Sequence, residues 1–192
     1  MALGTNTPKS DNKLFILKLK SKDENGVAMV PNKFSVSEKL DDKWTPRPEL
    51  EAAVSGNLVK IELGEGEYQG KKYDTAKFYL EDSEAKEMYL LDLRYNLLSR
   101  NLFNSLINLT TFDGVRVSNY KSKSKKDGKE WAAISLWQGD NMVRGKYAFE
   151  VIPKPDEIKN RAGEVVQRDF AEVDGFYREQ LKELAMRVNL KK

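Results

Sequence analysis

Residues 96–109 read Asn-Leu-Leu-Ser-Arg-Asn-Leu-Phe-Asn-Ser-Leu-Ile-Asn-Leu, and their period differs from that of the segments on either side. Leu98, Leu102, Leu106 and Leu109 fall at steps of four, four and three, with Arg100, Asn101, Asn104 and Asn108 elsewhere, which fits an amphipathic helix. Upstream the period is two. Val59, Ile61 and Leu63 alternate with Lys60 and Glu62, and after the turn Tyr68-Gln69-Gly70-Lys71 a second strand runs from Tyr73 to Asp82. Its Ala76, Phe78 and Leu80 share one face, and Tyr73, Thr75, Lys77 and Tyr79 share the other. A third strand, Met88 to Leu93, follows Glu81-Asp82-Ser83-Glu84. Downstream of the helix, Asp113-Gly114 opens a fourth strand, Val115 to Tyr120. A fifth, Glu130 to Gln138, sets Ala132, Ile134 and Leu136 against Trp131, Ala133, Ser135 and Trp137.

Three strands, one helix and two strands is the order of the OB-fold, a five-stranded Greek-key barrel whose helix lies between its third and fourth strands. The expected class is therefore mainly β, an OB-fold-like barrel over about 54–152 within a domain spanning 13–152. A β-rich N-terminal extension precedes the barrel, with strands at Lys13–Lys20 and Lys33–Leu40 and the Asp23-Glu24-Asn25-Gly26 turn between them. Residues 1–12 read as a flexible arm, Met142–Ile152 as a further strand and 153–168 as a linker. Residues 169–192 read as a C-terminal helix, with Phe170, Val173, Tyr177, Leu181, Leu184 and Val188 as its apolar stripe and Asp169 and Glu172 as a capping box. That stripe must be covered, by the chain's own barrel or by a second copy, and the linker favours the first.

The chain has 192 residues, no Cys and no His, which removes thiol nucleophiles, His-centred triads and Cys/His zinc sites. The absence of Cys favours a reducing, cytoplasmic setting, and no apolar run approaches a membrane span. No metal or cofactor is expected. The acids Glu62, Glu65, Glu67, Glu81, Asp82 and Asp92 read as solvated rather than as a Mg²⁺ site, and the glycines of Gly64–Lys72 have the wrong spacing for a phosphate loop. Net charge is +3, yet Lys121–Lys129 alone carries five lysines against one Asp, a local +4. A positive field is concentrated on one loop.

A sequence-tolerant single-strand groove needs cations along the phosphates and flat rings under the bases. Both are interleaved here. Tyr73, Lys77 and Tyr79 fall on the outer face of the second strand, Arg116 and Tyr120 on that of the fourth, and Trp131 and Trp137 on that of the fifth. Lys121, Lys123, Lys125, Lys126 and Lys129 occupy the loop between the last two strands.

Gly56-Asn57-Leu58-Val59-Lys60-Ile61, Glu67-Tyr68-Gln69-Gly70-Lys71, the alternating strand ending in Glu81-Asp82, the Asn/Leu-rich helix and Val115–Trp137 together resemble bacteriophage single-stranded DNA-binding proteins of the OB-fold kind. The resemblance covers about 100 residues. It implies a replication or recombination accessory that coats single strands without cutting them, works in the host cytoplasm and meets other replication or recombination proteins. The acidic tail with which many such proteins recruit partners is replaced here by Asn189-Leu190-Lys191-Lys192. Self-association through the C-terminal helix is a further expectation. The alternative is a structural or virion assembly protein using the barrel and terminal helix for protein contacts, and a third reading is a sugar-binding module stacking on Trp131 and Trp137.

Overall fold

The computed structural model describes residues 13–19, 33–47, 52–124 and 127–190. The arm at 1–12, the turn at Asp23–Gly26 and the lysines Lys125 and Lys126 lie outside the described residues. The elements are β1 (Lys13–Leu19), β2 (Phe34–Leu40), β3 (Lys43–Pro46), β4 (Ala53–Tyr68), β5 (Lys71–Asp82), β6 (Glu87–Arg94), α1 (Leu97–Ile107), β7 (Val115–Lys123), β8 (Glu130–Gln138), β9 (Asn141–Val143), β10 (Asp156–Lys159), β11 (Val165–Asp169) and α2 (Ala171–Asn189).

Nine strands form one sheet in the order β3-β2-β1-β6-β5-β4-β7-β8-β9. The long β4 serves two neighbours. Ala53–Gly56 pair with β7, Asn57–Tyr68 pair with β5, and the register shifts between Leu58 and Lys60. Gly56 permits the close approach at this bend, since a Cβ there would lie 2.8 Å from the Glu81 carbonyl oxygen.

The closed barrel expected from the sequence is not formed. A strand has two edges, and the edge of β6 away from β5 is occupied by β1, paired in parallel from Lys13↔Glu87 to Leu17↔Leu91. The far edge of β8 carries β9. The N-terminal extension is thus part of the same sheet, with β3 added antiparallel to β2 beyond Asp41 and Asp42, which turn at φ 46° and 63°.

Alternation on β5 holds: Ala76, Phe78 and Leu80 are buried. α1 starts with a reciprocal cap, in which Ser99 N donates to Asn96 Oδ1 and Asn96 N donates to Ser99 Oγ. It buries Leu102 and Leu106 as the spacing predicts, together with Phe103 and Ile107. Phe103 links the layers, with its centroid 5.8 Å from Phe78 and 6.2 Å from Tyr177 of α2.

The terminal helix docks on its own chain. Val173, Tyr177, Leu181, Leu184 and Val188 are buried in the same cluster as Phe15, Phe78 and Val117. Its last residue also completes β4: Ile61 N donates to Asn189 Oδ1 at 3.1 Å, and Asn189 Nδ2 donates to Ile61 O at 3.1 Å. An amide side chain thereby satisfies a stretch of strand backbone that, among the described residues, β7 does not reach. Asp174 pairs with Arg100, Asp74 pairs with Arg178, and Arg187 Nη2 donates to Leu109 O at 2.6 Å.

Three local expectations are corrected. The expected capping box of α2 is absent, because Phe170 is the N-cap and Asp169 Oδ1 accepts from Ala171 N instead. The strand read over Met142–Ile152 ends at Val143, and the chain beyond it follows α1, where Asn104 Nδ2 donates to Tyr147 O and Asn104 Oδ1 accepts from Tyr147 N. The linker at 153–168 contains β10 and most of β11, an exposed hairpin turned by Asn160 and by Gly163 at φ 82°.

Candidate nucleic-acid interface

On β5 the outward rings are held by charged neighbours. Tyr73 lies opposite Gly66 of β4, where a Cβ would fall 2.5 Å from the ring, so glycine is what lets the ring lie across the strand. The Arg94 guanidinium sits 4.0 Å from its centroid. Six residues on, Lys60 Nζ lies 5.2 Å from the Tyr79 centroid, while Tyr79 Oη donates to Glu62 Oε2 at 2.7 Å and Lys60 pairs with Glu62 at 2.6 Å. Burial, and then the bond to Glu62, pushes the Tyr79 hydroxyl up. Burial acts upward on the Glu62 carboxyl too, yet hydrogen bonds from Lys60 and Tyr79 outweigh it and hold the group below its ordinary value. Lys77 stands between Glu62 and Asp92 in register. This face is close to charge-balanced, with rings already ordered.

The β7–β8 hairpin presents its rings differently. Trp131 and Tyr120 are 46% and 44% exposed, and stand opposite Ser122 and Ala133. Trp137 is half-buried, stacked 5.1 Å from Arg116, with Nε1 donating to Ser135 Oγ at 2.9 Å. Lys121 and Lys123 are exposed, but register and alternation put them on the face of Ala132, opposite Tyr120 and Trp131. The interleaving read from the sequence is therefore a two-sided hairpin, rings with Arg116 on one side and the lysines Lys121 and Lys123 on the other. At its tip Ser124 N donates to Lys129 O, and Gly128 turns at φ 69°. Acids temper the field: Lys121 lies 3.5 Å from Glu130 and Lys129 lies 3.8 Å from Asp127.

No protein-family model, curated protein or solved structure matches the chain. Among the described residues there is no cluster of acids able to hold a metal ion, and no helix is long and apolar enough to cross a membrane.

The fold brings Tyr73, Lys77 and Tyr79 together on one half of the sheet, and Arg116, Tyr120, Trp131 and Trp137 on the other, joined by the bent β4. Sequence reasoning missed Arg94 and Lys60. Their signal was available in register: Lys60 lies directly across from Tyr79, and Arg94 lies across from Thr75, the next residue on the face of Tyr73. It also missed Trp44, 42% exposed on the edge strand β3. Beyond the end of the β1–β6 pairing, a cleft of ≈ 720 Å³ opens among the ends of β1, β5 and β6, the start of α1 and Ala132 of β8.

Proposed function

We propose that this chain is a non-catalytic, sequence-tolerant single-stranded DNA-binding protein of replication or recombination, of the bacteriophage OB-fold kind. The observation that carries the reading is the β7–β8 hairpin, whose exposed Trp131 and Tyr120 rings lie back to back with exposed lysines. Indole and phenol faces stack on any base at about 1 to 3 kcal/mol each, and lysines follow phosphates whatever the sequence. The strand order β6-β5-β4-β7-β8, with α1 between β6 and β7, supports it as the order of an OB barrel opened at one seam. The ordered tyrosines of β5 extend the stacking surface. Binding needs no cofactor, and the working place is the cytoplasm, the host's for a phage protein.

The test is a fluorescence titration with oligodeoxythymidylate and with a duplex of equal length. The expected result is quenching of tryptophan emission by the single strand at low salt, lost in Trp131→Ala, with weaker binding of the duplex. Absence of binding to either would favour the assembly-protein reading.

A further inference from the structure

The cleft lies just beyond the point where the β1–β6 pairing ends at Leu17↔Leu91, and its ≈ 720 Å³ falls within the size range of small-molecule sites. Leu93, Leu98 and Ala132 give its lining an apolar part. One wall is the Tyr73 ring with the Arg94 guanidinium stacked 4.0 Å from its centroid. Lys18 and Asp92 bring one cation and one carboxylate to the lining.

Resting on the single-strand reading, we propose that this cleft takes one nucleotide extruded from the bound strand, and that it favours guanine. Apolar side chains beside a guanidinium–phenol stack accept the π-face of a base. The carboxylate chooses among bases. Ionised, Asp92 is an acceptor only, with two oxygens side by side, and guanine is the base whose Watson–Crick edge offers two adjacent N–H donors. Thymine offers one imino N–H, and adenine and cytosine one amino group. A phosphate or an acidic peptide would meet repulsion from the same carboxylate, set against attraction to Lys18 and Arg94. The nucleotide's own phosphate falls to Lys18, and Lys121, on the Ala132 side of the hairpin, stands along the strand's way out.

The experiment compares a twelve-residue oligodeoxythymidylate with the same oligomer carrying one central deoxyguanosine, by fluorescence anisotropy at fixed salt, on wild type and on Asp92→Asn. Thermal melting of each protein guards against misfolding. The reading is the ratio of the two affinities within each protein, which cancels any general weakening. Wild type should bind the guanine oligomer about tenfold more tightly, as expected of one bidentate base contact. A central deoxyadenosine should give no such gain, and in Asp92→Asn the ratio should fall to near one. Ala132→Trp, which puts a large ring into the lining, should reduce the ratio likewise. If oligothymidylate binds but guanine brings no gain, or the gain survives in Asp92→Asn, the cleft proposal is overturned while the single-strand reading stands. If neither oligomer binds, the single-strand reading fails and takes the cleft with it. An acidic peptide with an aromatic C-terminus serves as a second probe. Its displacement of oligothymidylate without any guanine gain would assign the cleft to a peptide and overturn the proposal.

Discussion

On β5, Tyr73 is covered by Arg94, and Tyr79 is bonded to Glu62 beneath Lys60. On the β7–β8 hairpin, Trp131 and Tyr120 stand nearly half exposed. The two regions draw on the same residue types, aromatics and cations, and differ in how those residues spend their contacts. A ring whose face and hydroxyl are engaged adds to the stability of the fold and is ordered before any ligand arrives. A ring left in water adds little to stability and can yield most of its stacking energy to a base. Aromatic content alone therefore does not locate a binding surface; the state of each ring's existing partners does.

Both regions rest on one core, so the largest expected effect is common to them. Leu181 is fully buried in α2, and Leu181→Ala should cost about 2 to 5 kcal/mol, lowering the urea midpoint and exposing both faces to unfolding together. An unchanged midpoint would detach α2 from the core. Next comes the contrast itself. Trp131→Ala should weaken oligonucleotide binding by about 1 to 3 kcal/mol with the midpoint unmoved. Tyr79→Phe, which removes the hydroxyl bonded to Glu62, should instead cost about 1 kcal/mol of stability and leave affinity nearly intact. Equal behaviour of these two variants would erase the distinction between the faces.

The smaller effects sharpen it. Lys121→Ser with Lys123→Ser should flatten the logarithmic salt dependence of binding by about 1.4, two contacts at about 0.7 each, while altering stacking little. On β5 the same charges act on folding. Because Glu62 is held below its ordinary value of 4.5, its carboxylate favours the folded state above that value, and the contribution disappears as pH falls through the lowered folded pKa. Wild type should exceed Glu62→Gln in thermal stability by about 0.5 kcal/mol at pH 7, a gap that closes in acid. A gap that widens in acid would reverse the sign of the effect.

Much of this arrangement was legible in the sequence because it is local. The two-residue period of Ala76, Phe78 and Leu80 and the helical period of Leu98, Leu102, Leu106 and Leu109 each report burial within a few residues, and all are buried except Leu98, which is half-buried. The stripe of α2 was read in the same way. Pairing between distant strands leaves no such trace. Nothing in Lys13–Leu17 announces a parallel partner at Glu87–Leu91, and that pairing is what joins the N-terminal strands to the one open sheet, with the cleft beyond its end. The β10–β11 hairpin was hidden by polarity, although Asn160 and Gly163 between Ile158 and Val165 carried a turn signal. The sidedness of the hairpin lysines was implicit in alternation, yet a charge run draws the eye to its sum rather than to its parity.

The most direct test of single-strand binding is the slope of the logarithm of the association constant against the logarithm of salt concentration, measured with oligodeoxythymidylate. With three to six phosphates neutralised by the hairpin and its neighbours, the slope should lie at about −2 to −4, because each contact releases about 0.7 counterion. A slope near zero, or no measurable association at low salt, would contradict a surface built to follow a phosphate backbone.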